Sequence, residues 1–358
     1  MVSSAAHRPP RTEAVTACPG CRTPAPDHVF LEGGDRHLGV PGTTVFRRCP
    51  ACGSVYQAPR VVPEDLPLLY PSSYYTHEAP GNVRPGGPSL KGGWKGASRR
   101  RIQKGVKGGP HAPGGFHPLS LAARIRWLRE RAFWDLPDGA IPRTPSPGSA
   151  LEIGPGTGWD LALLARSGWN ARGVEWDRAA ARVAADVSGC PVEHGDFLDS
   201  AEPKGPFRLV FLHHVFEHLP RQEAALVWMA DRLHPRGRIV IVVPNPDAVA
   251  ARRHGRRWIG WDPPRHLCLL SLGGFGEMAS RVGLRVTCTS RFRRAPVHDL
   301  MSRSSREEEA PDRRPDLPAR LRVLSDIFTA LFRPLSRPGG DELHLVLTRP
   351  SPGARSRG

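Results

Sequence analysis

Five residues, Gly154-Pro155-Gly156-Thr157-Gly158, constrain this chain more tightly than any others. They follow Ala150-Leu151-Glu152-Ile153, a short apolar run that reads as a buried strand. Neither a strand nor a helix continues through so many glycines, so the chain must turn here. Leu161, Leu163, Leu164 and Ala165 then carry a helix that Gly168 stops. Ala171 to Glu175 is a second strand. The result is a strand, glycine loop, helix, strand unit, the half-module of a nucleotide-binding sheet. Glycines let the backbone approach a ligand closely, and a helix N-terminus presents N–H groups with no partner inside the helix. Glu175 ends the second strand 21 residues after Gly154, where a carboxylate can accept from both hydroxyls of a ribose.

The loop also bears on which nucleotide. A dinucleotide G-x-G-x-x-G fingerprint needs glycine at 159, which is Trp159, and this disfavours an NAD(P) enzyme. The spacing is instead Glu152-x-Gly154-x-Gly156-x-Gly158. An acid ahead of the glycines suits the cationic end of a ligand rather than a pyrophosphate. A glycine-rich turn in some other α/β domain is the plainer alternative. The pattern resembles motif I of the class I S-adenosylmethionine (SAM) methyltransferases. The resemblance implies that Glu152, Gly154, Pro155, Gly156, Thr157 and Gly158 hold the methionine end of SAM, and that Glu175 and Trp176 hold its ribose side.

A helix over 178–187 leads to a third strand, Pro191 to Glu193, which ends in His194-Gly195-Asp196-Phe197. A carboxylate at a strand end followed by an aromatic suits an adenine: Asp196 accepts from the exocyclic amine and Phe197 stacks or flanks. A simple Asp turn is the alternative. Phe207 to His214 is the fourth strand, and Val215-Phe216-Glu217-His218-Leu219-Pro220 continues it. Ligands of open α/β sheets sit at the carboxyl ends of strands. That places His213 beside the cofactor and His214, Glu217 and His218 near the chemistry. Leu226 to Leu233 reads as a helix and Ile239 to Pro244 as the fifth strand.

The runs HHVFEHLP (213–220), LHPRGRIVIVVPNP (233–246, with Asn245) and Trp261-Asp262-Pro263-Pro264-Arg265-His266-Leu267 are similar to the methyltransferase-23-type branch of the superfamily. The likeness covers roughly Ala150 to Phe292. It implies a Rossmann-like, seven-stranded doubly wound α/β sheet. Leu284 to Arg291 and Glu342 to Leu347 become the sixth and seventh strands, the seventh antiparallel between the fifth and sixth. Ser271 to Val282 is a further helix.

Two chemistries are open on the acceptor side. In one, His214 or His266 removes a proton from a substrate hydroxyl as general base. In the other, Glu217, His218 and His266 gather a divalent metal that binds the acceptor oxygens and lowers their pKa. The small-RNA 3′-end methyltransferases have a similar Glu-His after the fourth strand and a later His, but a further Glu where this chain has His214. A purely structural alternative has Glu217 capping the next helix and His218 packed beneath the glycine loop.

Ahead of this domain, Cys18-Pro-Gly-Cys21 and Cys49-Pro-Ala-Cys52 form two CxxC knuckles with 27 residues between them. Four thiolates satisfy tetrahedral Zn²⁺, and so short a module needs a metal to supply folding energy. A zinc-ribbon-like module over 17–80 with a closed, structural Zn²⁺ is therefore expected; two redox CxxC pairs are the alternative. Such modules are also common in the methyltransferase-23-type branch. Cys190, Cys268 and Cys288 read as buried thiols.

The formal net charge is +17, and a basic surface attracts nucleic acid, anionic lipid or phosphorylated substrates. An arginine-rich composition alone also produces such an excess. Residues 81–117 are Gly/Pro-rich and basic (Arg99, Arg100, Arg101, Lys104, Lys107) and read as a linker. Leu66 to Tyr75 is an aromatic stretch suited to packing the module onto the next part of the chain. Ser120 caps a helix running to Trp134, which by resemblance lids the cofactor. In 248–260 Trp258 and Trp261 sit among Arg252, Arg253, Arg256 and Arg257, either as a ligand-stacking face or as a solvated helix. The insertion at 293–340 carries a basic amphipathic helix (Leu317 to Leu335) that packs on its own domain, on a partner, or on an anionic membrane surface. Residues 1–16 and 351–358 read as disordered ends. No apolar run of about 18 residues occurs. The first twenty residues have no apolar signal core, so a cytoplasmic protein, at most peripheral to a membrane, is expected.

The combined expectation is a SAM-dependent methyltransferase acting on an O or C acceptor of a small molecule or sugar or polysaccharide precursor. The alternatives are a zinc-containing nucleic-acid-binding protein, or an RNA methyltransferase, using the basic surface.

Overall fold

The computed structural model describes residues 8–70, 147–199, 203–289 and 340–350. The linker at 81–117, the helix over 120–134, the amphipathic helix of the insertion and the tail lie outside these residues.

The N-terminal part holds β1 (Thr12–Glu13), β2 (Leu31–Gly33), β3 (Thr44–Arg48), β4 (Val55–Gln57) and β5 (Arg60–Val61). The main domain runs β6 (Ser149–Ile153), α1 (Trp159–Arg166), β7 (Asn170–Glu175), α2 (Arg178–Ser188), β8 (Val192–His194), β9 (Phe207–His213), α3 (Gln222–Asp231), β10 (Leu233–Pro244), α4 (Val249–His254), β11 (Cys268–Leu269), α5 (Leu272–Arg281), β12 (Arg285–Thr289) and β13 (Glu342–Thr348).

The main sheet has seven strands in the order β12-β13-β10-β9-β6-β7-β8. β10, β9, β6, β7 and β8 are parallel to one another, whereas β13 runs antiparallel to both β10 and β12. The inserted antiparallel seventh strand is thus as expected. The core strands are apolar because both faces are covered: Leu151, Leu209, Val210, Phe211, Leu212, Ile239, Val240 and Ile241 are fully buried. Strand order reverses between β6 and β9, so their carboxyl ends open the crevice where such sheets bind ligands.

Local signals explain the ends of the elements. Asp177 caps α2 by accepting from the N–H groups of Ala179 and Ala180, both at 2.8 Å, and Gly189 closes the helix in the left-handed conformation. Ser271 caps α5 in the same way through the Gly274 N–H. α3 begins four residues ahead of the expected 226. Its first residue, Gln222, is buried and donates its side-chain amide to the carbonyls of Phe216 (2.8 Å) and Cys268 (3.0 Å), which anchors the helix start.

The second sheet has the order β11-β4-β3-β2. β11 lies well beyond the fifth strand of the main domain, yet it pairs antiparallel with β4, Cys268 opposite Tyr56 and Leu269 opposite Val55. The N-terminal module therefore shares a sheet with the main domain. A common core of Phe46, Val55, Ala248, Ala251, Trp258, Trp261 and Leu269 seals the junction. Trp258 and Trp261 meet edge-to-face at 4.8 Å and are each 2% exposed. This corrects the ligand-stacking expectation for 248–260, since the tryptophans point into the core, while the exposed Arg252, Arg253 and Arg256 match the solvated-helix alternative. Cys190 and Cys268 are buried thiols, as expected. Among the described residues no helix is long and apolar enough to cross a membrane.

Candidate active site

The glycine loop adopts the geometry its composition demands. Gly154, Gly156 and Gly158 have φ of 67°, 51° and 71°, a region open to glycine but strained for other residues. Space is equally decisive at two of them. A Cβ on Gly154 would lie 2.6 Å from a Val215 methyl, and one on Gly158 would lie 2.5 Å from the Ala184 carbonyl oxygen.

Three carboxylates surround this loop. Glu152, on β6, is 2% exposed, and its Oε2 has no hydrogen-bond partner. Burial, then the neighbouring Asp160 and Glu175, push its carboxyl well above the usual range. Glu175 is also buried and raised by burial; its Oε2 accepts from the Gly156 N–H at 3.0 Å and its Oε1 from the Asp177 N–H at 3.3 Å. Asp160, in the first turn of α1, faces the His213 imidazole: Oδ2 lies 2.7 Å from Nδ1, and Oδ1 is a buried orphan. An orphaned carboxylate oxygen inside a low-dielectric cradle calls for a cation. The ammonium and sulfonium of SAM fit that demand. Trp176 is 44% exposed beside Glu175 and packs edge-on to Tyr70 at 5.4 Å.

Asp196 and Phe197 sit differently from a stacking pair. Phe197 is 5% exposed and packs edge-on to Trp228 at 5.1 Å, inside the core. Asp196 accepts from the Leu198 N–H at 2.9 Å and pairs with Arg221.

On the acceptor side, His214 has φ 54° and stacks on His213 at 4.8 Å. Its Nδ1 lies 3.2 Å from Glu217 and its Nε2 3.3 Å from Glu342, which in turn holds His344 at 3.0 Å. Burial alone would lower the imidazole pKa, but the hydrogen bonds to Glu217 and Glu342 raise it to about 10. The geometry therefore makes His214 a clamped imidazolium at neutral pH, a form with no lone pair for base catalysis. Burial pushes Glu217 up, and the bond to His214 brings it down to about 2, so it is a carboxylate.

His218 and His266 face each other edge-on at 4.6 Å, close to Glu217. Burial and His266 hold His218 down at about 4. Glu217 does not cap α3: its side chain bonds to His214, and α3 has no side-chain cap. His218 bonds to Tyr70 and to the Arg265 carbonyl rather than packing under the loop.

The segment bearing His266 is held from the N-terminal module. Gln57 donates its side-chain amide to the carbonyls of Pro264 (2.7 Å) and His266 (3.0 Å). Arg265, 1% exposed, forms a bidentate pair with Asp35, both contacts at 2.8 Å, and a second pair with Asp262. The four cysteines converge against the start of α5, with Cys18 and Cys52 sulfurs 3.6 Å apart and Cys21 and Cys49 sulfurs 3.4 Å apart. These separations are close to the ~3.8 Å that four bonds of about 2.3 Å to a tetrahedral Zn²⁺ impose.

Asp160, Glu342, His344, Gln57 and Asp35 are the residues that sequence reasoning missed. Glu342-x-His344 carries a signal, two polar residues on one face of an otherwise apolar strand. Gln57 and Asp35 carry none, since their partners lie more than 200 residues away.

The sheet order, with its reversal between β6 and β9 and its antiparallel β13, defines a Rossmann-like class I fold. Residues 124–289, under half the chain, match the model of the methyltransferase-23 family, described as a methyltransferase domain, which supports a SAM-dependent methyltransferase. Solved structures similar to this chain include a SAM-dependent methyltransferase from Archaeoglobus fulgidus, 19% identical, TM-score 0.40, over 64% of this chain and 93% of that one. Another, from Mesorhizobium loti, is 15% identical with TM-score 0.39, over 59% and 95%. Phosphoethanolamine N-methyltransferase 2 of Haemonchus contortus, solved with SAM, is 15% identical with TM-score 0.41, over 63% and 53%. No curated protein matches this chain.

Proposed function

We propose that this protein transfers a methyl group from SAM to an O or C acceptor on a small molecule or sugar or polysaccharide precursor, with a structural Zn²⁺ at Cys18, Cys21, Cys49 and Cys52. The observation that carries the cofactor assignment is the orphaned, buried carboxylate of Glu152 beside a loop of left-handed glycines. Glu152 would hold the ammonium group. Gly154, Pro155, Gly156, Thr157 and Gly158 would line the methionine end, with Asp160 and His213 at its edge. Glu175 would exchange its backbone hydrogen bonds for the ribose hydroxyls. Trp176, Asp196 and the Phe197 backbone would border the adenine.

SAM supplies an electrophilic methyl on a sulfonium, whose sulfur becomes a neutral thioether as the methyl leaves. The chain's own work is positioning, exclusion of water and, for an oxygen acceptor, control of its proton. The clamp of Glu217, His214 and Glu342 fixes the rim where the acceptor would enter. The test is transfer of isotopically labelled methyl from SAM to a panel of nucleotide sugars, small phenols and alcohols, and RNA, read by mass spectrometry. Label in one acceptor class, lost in Glu152→Gln, supports the assignment. Label in nucleic acid alone contradicts the small-molecule acceptor.

A further inference from the structure

We propose that Glu217, His218 and His266 form a binding site for a first-row divalent cation, whose open coordination positions take the hydroxyl oxygens of the acceptor. The ligand atoms of the three residues lie within 4.8 Å of one another, and His266 Nε2 is 3.8 Å from Glu217 Oε1. Backbone carbonyls set the tautomers. His266 Nδ1 lies 2.8 Å from the Gly260 oxygen, and His218 Nδ1 lies 3.1 Å from the Arg265 oxygen. A carbonyl only accepts, so His266 Nδ1 carries the hydrogen and its Nε2 keeps a lone pair; His218 Nδ1 also meets the Tyr70 hydroxyl at 2.9 Å, which accepts as well as donates, so the same tautomer suits both of its contacts. Histidines that bind metals are oriented in this way, with the second ring N–H spent on a carbonyl or carboxylate.

The third ligand points the same way. Glu217 is 1% exposed, and its Oε2 has no hydrogen-bond partner. Its Oε1 faces both His266 Nε2, at 3.8 Å, and His214 Nδ1, at 3.2 Å, so one imidazolium already balances the carboxylate, and the two imidazole lone pairs with the remaining carboxylate oxygen are the donors that a cation would join. Two nitrogens and a carboxylate suit first-row divalent ions, and three protein ligands leave positions for water or substrate. His214 is not one of the ligands, since its two ring nitrogens face Glu217 and Glu342.

The site adjoins the cofactor cradle. Val215, two residues before Glu217, packs against Gly154. Tyr70 touches both His218, at 2.9 Å, and Trp176, which follows Glu175. A cation here binds an acceptor hydroxyl and lowers its pKa, so the proton leaves to water and an oxygen lone pair is free to form the new O–C bond as the C–S bond of the donor breaks. An acceptor with two adjacent hydroxyls fits best, because it chelates. The site stands on these residues alone; its part in activating the acceptor rests on the methyltransferase reading.

The experiment is titration of the full, zinc-loaded chain with Mn²⁺, an ion that thiolates bind poorly, with free Mn²⁺ followed by its electron paramagnetic resonance. S-adenosylhomocysteine affinity is measured in parallel. One Mn²⁺ per chain is expected. His218→Ala and His266→Ala should each weaken it about tenfold or more while S-adenosylhomocysteine still binds. Glu217→Gln keeps the side-chain shape and should also weaken it. Wild-type protein that binds S-adenosylhomocysteine but no Mn²⁺, or Mn²⁺ binding that all three substitutions leave unchanged, overturns the site. Mn²⁺ binding without S-adenosylhomocysteine binding upholds the site and removes the methyltransferase reading.

Discussion

Gln57 and His266, 209 residues apart, meet where the Gln57 side-chain amide donates to the His266 carbonyl at 3.0 Å. The His266 ring is fixed separately, through Nδ1 to Gly260. Both the backbone and the ring of this residue are thus set, one of them from the N-terminal sheet. Replacing Gln57 with Leu orphans two buried carbonyls, at about 1–3 kcal/mol each. A denaturant midpoint lowered accordingly, with weakened acceptor turnover and little change in S-adenosylhomocysteine affinity, is the expected result. An unchanged midpoint would show that the amide does not hold this segment.

The Arg265–Asp35 pair predicts a larger effect. Their side chains are 1% and 0% exposed. Asp35→Ala leaves a buried guanidinium with only Asp262, and breaking such a pair costs about 3–5 kcal/mol. Thermal unfolding of the variant should shift down by many degrees. A shift of a degree or less would mean that water reaches the Arg265 head.

The pH dependence of stability should carry the mark of His214. Its pKa rises from 6.5 to about 10 on folding, so its contribution is fully present below pH 6.5 and fades as pH climbs through 10. Glu217 falls from 4.5 to about 2, so its contribution is present above pH 4.5 and fades as pH drops through 2. The clamp is therefore strongest between pH 4.5 and 6.5 and erodes on the alkaline side. Comparing melting temperatures at pH 6 and pH 9.5 (bench conditions), wild type should lose more than His214→Gln. Equal losses would rule out the clamp.

Much of the catalytic sheet is legible in the sequence because its signals are local. Apolar runs such as Phe207 to Leu212 end at glycine or histidine turns, and Asp177 and Ser271 mark helix starts. The Gly154 to Gly158 loop announces its own geometry, since only glycine tolerates those φ values beside Val215 and Ala184. The sharing of β11 with the N-terminal sheet is not legible: two residues, Cys268 and Leu269, carry no periodicity, and their partner strand is distant. Trp258 and Trp261 mislead because neighbouring arginines suggest an exposed face, whereas Phe46 and Val55 arrive from the module to cover them. The part played by His214 is hidden for the same reason, since Glu342 reaches it from the last strand.

Cofactor affinity should depend on pH through Glu152. Its carboxyl is raised by burial, and it must lose its proton to pair with an ammonium. S-adenosylhomocysteine affinity is expected to rise with pH in wild type. In Glu152→Gln it should fall by about 1.5–3 kcal/mol, the worth of a charged hydrogen bond, and its pH dependence should flatten. Calorimetric titration across pH checks both. A pH-independent wild-type affinity would place the ammonium elsewhere.

The most direct measurement is calorimetric titration of the purified protein with S-adenosylhomocysteine, with Gly156→Arg as control. Gly156 has φ 51°, and its N–H meets Glu175, so an arginine there strains the loop that holds Glu175. Saturable binding by wild type that this substitution removes is the expected result. A folded, zinc-loaded wild type that binds no S-adenosylhomocysteine would contradict the cofactor site, and titration with nucleic acid at graded salt would then be the measurement to make.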